Sequence, residues 1–230
     1  FVLLVRRLPS AARKAEARAA RERPQWLRTA FYLLAITGFH LLLSRTDVIM
    51  VGALLDTERA GIYMPAVRVA GLVAFGLHAV NLIAAPLVAD LHHRGETADL
   101  QRVAVLVARG ASAFAGVAFL LLVVGGRWIL GLFGEPFTQG YATLLLLGAG
   151  QLANAFVGSV GFLMSMTGHE RAAAGIVGVS AAGNVALNAA LIPIWGIEGA
   201  AVATSLTLVA WNVAFAVYVH RRLGVRSLPF

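Results

Sequence analysis

The chain has 230 residues, of which 59% are hydrophobic and only 13% charged, a net charge of +8, and no cysteine. A soluble domain carries about 45–50% apolar and about 25% charged residues, so a soluble fold of this length has too little interior to hide so much apolar surface. The absence of cysteine excludes disulfide frameworks, thiolate zinc sites and cysteine nucleophiles, while the basic balance fits either nucleic acid or an anionic membrane leaflet, according to where the charges lie.

In chain order, Phe1-Val-Leu-Leu-Val5 is followed at once by Arg6 and Arg7. That run is too short to span a bilayer, and the order of apolar and basic parts is the reverse of a secretory signal. Residues 1–5 are therefore read as the end of a truncated preceding transmembrane helix, and residues 6–26 as a basic cytoplasmic linker. Within it, Ala11 to Arg23 is rich in Ala, Arg and Glu and is expected to be helical. It serves either as a solvated tether or as a lipid-headgroup site.

A hydrocarbon core of about 30 Å needs roughly 20 apolar residues of helix, and six segments meet that length: Leu27–Leu54, Gly61–Leu91, Val103–Gly125, Tyr141–Met166, Ala172–Ile194 and Gly199–His220. The joints between them carry turn and helix-stop residues, among them Asp56-Thr-Glu-Arg-Ala-Gly61, His92-His-Arg-Gly-Glu96, Thr167-Gly-His-Glu170 and Pro193-Ile-Trp-Gly196. Only Arg127 to Gly140 is long, with room for a small interfacial helix. The expected architecture is all-α and polytopic: a six-helix transmembrane lobe over residues 27–220 and a cytoplasmic tail over 221–230.

Basic residues test that map. Arg6 through Arg28, Arg94, Arg102, Arg171 and Arg221 through Arg226 fall on one side, while the other side holds only Arg59 and Arg127. The positive-inside rule puts the richer side in the cytoplasm, with both ends of the chain. The charge thus answers to a membrane, and no nucleic-acid partner is expected.

An ionisable side chain at bilayer depth costs roughly 2.5–3.5 kcal/mol even on insertion scales, so each calls for a partner or a wet cavity. Arg45, Asp47, Arg68 and His78 are the cases here. Asp47 lies nine positions before Asp56 and Arg68 eight after Ala60, so at about 1.5 Å per residue the two reach similar depth on antiparallel neighbours. An Asp47–Arg68 pair or a shared pocket is expected, functional or purely structural, with Arg45 snorkelling as the alternative use of that side chain. Arg68, Gly71, Phe75 and His78 share one helix face, expected to line the interior, and Pro86 is expected to kink or soften that helix near its cytoplasmic end. His78 either carries a proton or packs through a hydrogen bond. Ser180, Asn184 and Asn188 follow i+4 steps, and Gln151 and Asn154 an i+3 step; such stripes line a cavity or bond between helices. Gly158, Gly161, Gly175 and Gly178 read as close-packing positions.

There is no Gly-x-x-x-x-Gly-Lys nucleotide loop, and His169-Glu170 lacks a second His at the zincin spacing. His92 and His93 with Glu96 and Asp99 offer no nucleophile and read as a solvated loop. No catalytic residue, metal or cofactor is expected.

Several short motifs occur in order and together resemble a known family. They are Asp47-Val-Ile-Met-Val-Gly-Ala-Leu-Leu55 with Ala60-Gly-Ile-Tyr63, Pro65-Ala-Val-Arg68, Ala85-Pro86, Gly131-Leu-Phe-Gly134 and Met166-Thr-Gly-His169. Asn184, Asn188, Leu191-Ile-Pro193 and Gly196-Ile-Glu-Gly-Ala-Ala201 complete the series. From Asp47 to the C-terminus the chain resembles the oligosaccharide and polysaccharide flippases of the multidrug/oligosaccharidyl-lipid/polysaccharide exporter superfamily. The resemblance implies helices seven to twelve of a two-lobe transporter whose N-terminal lobe is missing, working by alternating access in the bacterial inner membrane. It implies a polyprenyl-pyrophosphate-linked oligosaccharide as substrate. Guanidinium forks suit a pyrophosphate, so Arg68 and then Arg45 are the expected ligands, Asn184 and Asn188 the expected contacts to sugar hydroxyls, and Asp47 and His78 the ion-coupling or pairing groups.

A multidrug cation antiporter of the same superfamily would favour intramembrane acids, whereas Asp47 stands against two arginines. A peptidoglycan-precursor flippase fits the basic residues equally well. From another class, a membrane glycosyl- or acyltransferase would need an Asp-x-Asp or His-x-x-x-x-Asp set, and neither occurs; a structural scaffold is the remaining alternative.

Overall fold

The computed structural model describes residues 10–223, with side chains placed over 26–222 apart from Phe162. The expected helix end at residues 1–5 and the tail beyond residue 223 lie outside the described residues. The rest is helical: α1 (Ser10–Leu54), α2 (Thr57–Ala70), α3 (Phe75–Arg94), α4 (Thr97–Gly131), α5 (Tyr141–Val157), α6 (Val160–Met166) and α7 (Glu170–Leu223). The helix expected over Ala11–Arg23 runs on into the first span as one 45-residue rod.

Asp56 caps α2, its carboxylate accepting the Arg59 N–H at 2.6 Å, which satisfies one of the amides a helix start leaves open. A single 3₁₀ turn at Gly71–Ala74 joins α2 to α3, so the second expected span is one element with a local tightening. The helix continues unbroken past Pro86, and a 3₁₀ turn interrupts the span at Gly71–Ala74. The fourth expected span is broken: Gly158, at φ 76° and ψ −152°, separates α5 from α6. The long joint after α4 contains a 3₁₀ segment, Glu135–Gly140, where a small interfacial helix had room to form.

α7 contains two spans. Gly196 at φ 62° and ψ −137° interrupts it, a backbone region open essentially to glycine alone. Asn188 and Thr204 lie eight residues on either side, and both hydrogen-bond to Asp47. In a straight helix those sixteen residues would separate them by about 24 Å, so the chain reverses at Gly196. Among the described residues five continuous elements are long and apolar enough to cross a bilayer, and the reversal within the last gives the expected six passes.

Buried side chains form two cores. One, built from Val51, Ile62, Tyr63, Leu130, Leu144, Ile192 and Ile197 with their neighbours, sits toward the turns at Asp56 and Gly196. The other, including Leu43, Val88, Leu91, Leu100, Leu163, Val177 and Val219, sits toward the turns at Gly95 and Gly168. Outside them Leu82, Ile83, Leu106, Leu121 and Val124 are exposed, as lipid-facing residues are. Trp26, Trp128 and Trp195 are also exposed, each near one end of a membrane pass, where amphipathic indoles favour the interface.

Candidate functional site: a polar cavity around Asp47

Between the two cores lies a cavity of about 560 Å³, within the roughly 300–1,000 Å³ typical of small-molecule sites. Every pass except that of α4 contributes to its wall. α1 supplies His40, Ser44 and Asp47, spaced i, i+4, i+7 on one face; α2 and α3 supply Tyr63, His78 and Asn81; α5 supplies Gln151 and Asn154; the arms of α7 supply Asn184, Thr204, Trp211 and Asn212. Among the described residues Asp47 is its only carboxylate, and no Lys or Arg lines it.

Asp47 is 5% exposed. Its carboxylate accepts the Asn188 amide at 2.9 Å, the Thr204 hydroxyl and, at a weak 3.4 Å, the Tyr63 hydroxyl. Asn188 also donates to the Asn184 backbone carbonyl and side-chain oxygen, each at 3.0 Å. The Asn188 Oδ1 and Asn184 Nδ2 atoms are buried without a hydrogen-bond partner among the described residues. A buried carboxylate with neutral partners has given up hydration worth several kcal/mol without a countercharge, so this is a place where a cation is favoured. The surrounding donors are the Asp47 carboxylate, amide oxygens and hydroxyls, which suit a proton or a hard, oxygen-seeking cation. Among the described residues no three His, Cys, Asp or Glu side chains cluster as a transition metal would require.

The expected Asp47–Arg68 pair does not form. Asp47 spends its oxygens on Asn188, Thr204 and Tyr63, and Arg68 is exposed with no ion-pair partner among the described residues. Arg45 is also exposed. Val67 and Ser44 line the cavity, and each helical step of about 100° turns the next residue away. The face of Arg68, Gly71, Phe75 and His78 is real, since all four are exposed, yet only His78 borders the cavity. Asn184 reaches the cavity, while Asn188 is fully buried and bonds across helices. Among the expected glycine contacts, a Cβ on Gly161 would meet Phe215 at 3.2 Å and one on Gly178 would meet Phe39 at 3.1 Å, while Gly175 has open space.

Sequence reasoning missed His40, Tyr63, Thr204 and Trp211 as site residues. His40 was discoverable as the i−7 neighbour of Asp47. Thr204 was not, because a threonine in an apolar run carries no signal until the reversal at Gly196 sets it beside Asp47.

No family model matches the sequence. Over 181 residues, 78% of its length, the chain is 26% identical to a Haloferax volcanii protein named as the probable low-salt glycan biosynthesis flippase Agl15, of which it covers 38%. A solved structure, described as the outward-facing conformation of a multidrug resistance MATE family transporter of the MOP superfamily, superposes with a TM-score of 0.66 at 18% identity, over 89% of this chain and 46% of that one. The chain spans less than half the length of each. The motifs and both similarities converge on one architecture: a multi-pass helical membrane unit with the fold that makes up about half of a transporter of that superfamily.

Proposed function

We propose that the chain is one half of a flippase that moves a polyprenyl-pyrophosphate-linked oligosaccharide across the membrane by alternating access, coupled to a cation at Asp47. The observation that carries the reading is a single buried carboxylate, held by neutral donors, in a polar cavity between two apolar cores. A structural ion pair would bring its own countercharge, whereas this arrangement leaves the countercharge to a mobile ion. The similarity to a probable glycan flippase favours a glycolipid over a drug cation as cargo. So does a wall rich in amides and hydroxyls, with one acid. The basic end of the lobe then faces the cytoplasm of the host's inner membrane.

Arg45 and Arg68 remain the proposed pyrophosphate ligands. They lie eleven residues before and twelve after Asp56, so they sit at matching membrane depth, exposed and without a counterion among the described residues. A guanidinium so placed needs an anion, and a lipid phosphate at the lobe surface supplies one. His78 at the cavity edge is proposed as an auxiliary proton carrier.

The test is complementation of a flippase-deficient bacterium by the full-length gene at matched membrane expression. Restored surface polysaccharide with wild type and its loss with Asp47→Asn is the expected result. Equal restoration by both would remove the coupling role, and no restoration by wild type would remove the glycolipid reading.

A further inference from the structure

Tryptophan marks two different environments in this lobe. Trp26, Trp128 and Trp195 are more than half exposed near the ends of passes, but Trp211 is half-buried in the cavity wall. It lies fifteen residues beyond the Gly196 turn, about 22 Å along the helix and well inside a hydrocarbon core of about 30 Å. An indole held there is not an interfacial anchor. Its ring stands nearly perpendicular to that of His40, at a centroid distance of 5.2 Å, which fixes its orientation.

Uncharged amides of α3, α5 and α7 line the same cavity. Asn212 donates to the Asn154 side-chain oxygen at 2.9 Å and to the Leu208 carbonyl at 2.8 Å, so its position is set. Gln151, one turn before Asn154, has no hydrogen-bond partner among the described residues. Ser159, in the break between α5 and α6, donates to the Asn81 side-chain oxygen on α3. The break itself opens the helix wall at Gly158, which lines the cavity.

We infer that Trp211 and Gln151, with Asn154 and His40, form a saccharide subsite that receives a pyranose ring of the cargo. A sugar ring presents a C–H-rich face, which packs on an indole, and equatorial hydroxyls, which need both donors and acceptors; a primary amide supplies both. A free phosphate or pyrophosphate would need cations, and among the described residues no Lys or Arg lines this cavity. A greasy cation or drug would not need a ring of amides. The subsite rests on the flippase reading above and divides the cargo: phosphates outside at Arg45 and Arg68, sugar inside at Trp211.

The test uses purified full-length protein and two probes, undecaprenyl pyrophosphate and the same lipid carrying one N-acetylglucosamine, with affinities measured by native mass spectrometry. Wild type is expected to bind the sugar-bearing lipid more tightly, by about fivefold or more, as a central aromatic contact commonly contributes. Trp211→Ala and Gln151→Ala should erase that difference, and Trp211→Tyr should keep most of it. Equal affinity of wild type for the two lipids overturns the subsite while leaving the flippase reading intact. An equal loss for both lipids in Trp211→Ala, with a lowered unfolding midpoint, also overturns it, because the ring would then only pack. Binding of neither lipid overturns the flippase reading, and the subsite falls with it.

Discussion

The Asn188 amide donates to the Asp47 carboxylate at 2.9 Å across 141 positions of sequence. That bond joins the first described pass to the fifth, and it ties the cavity's acidic group to an amide whose own oxygen is buried without a partner among the described residues. The site is therefore as much a packing element as a chemical one, and the two roles separate under substitution.

Asp47→Asn keeps the shape and removes the charge. It should leave membrane expression and the unfolding midpoint in detergent near wild type while abolishing transport. Asp47→Leu also strands Thr204 and removes one of the three acceptors of the Asn188 amide, and a buried polar group left unpaired costs about 1–3 kcal/mol. Fluorescence-detected thermal unfolding should show Asp47→Leu markedly less stable than Asp47→Asn; similar midpoints would mean the polar cluster contributes nothing to packing.

Thr204 and Tyr63 both donate to the same carboxylate oxygen, at very different quality. A 3.4 Å contact sits at the outer limit of a hydrogen bond. Tyr63→Phe should consequently change stability by less than about 0.5 kcal/mol, whereas Thr204→Val should cost about 1 kcal/mol or more and impair ion-dependent transport. Equal effects in a side-by-side denaturation series would contradict the geometry.

Glycines divide by what stands opposite them. A Cβ on Gly199 would collide with the Leu191 carbonyl across the hairpin, and one on Gly150 would come within 2.6 Å of the Ser205 hydroxyl. Gly199→Ala and Gly150→Ala should each destabilise the lobe by about 1–3 kcal/mol through overpacking. Gly38 has nothing within 4 Å, so Gly38→Ala should be neutral or stabilising by up to about 1 kcal/mol from helix propensity. Unfolding midpoints of the three variants decide the ordering.

Arg45 and Arg68 are exposed and make no ion pair among the described residues. Arg68→Ala should therefore keep the wild-type unfolding midpoint and lose transport, and Arg68→Lys should recover only part of it because an ammonium lacks the planar fork. A double-mutant cycle between Asp47 and Arg68 should give stability coupling near zero. Coupling of a kcal/mol or more, about the size of a direct contact, would restore the ion pair that the geometry lacks.

Sequence alone determined the membrane class and the all-helical, multi-pass fold, because length and apolar content are local quantities that a hydrocarbon core of about 30 Å reads directly. It also singled out Asp47, Asn184 and Asn188, since polar groups are conspicuous in apolar runs. What it could not determine was which of them meet. Depth matching suggested Asp47 with Arg68, but depth is one coordinate and helix rotation is another: the step of about 100° from Val67 to Arg68 carries the guanidinium outside, while Thr204, silent in the sequence, turns inward. Only the reversal at Gly196 brings Asn188 and Thr204 to one carboxylate, and only helix packing shows that one tryptophan of four lines a cavity inside the bilayer rather than standing near the end of a pass.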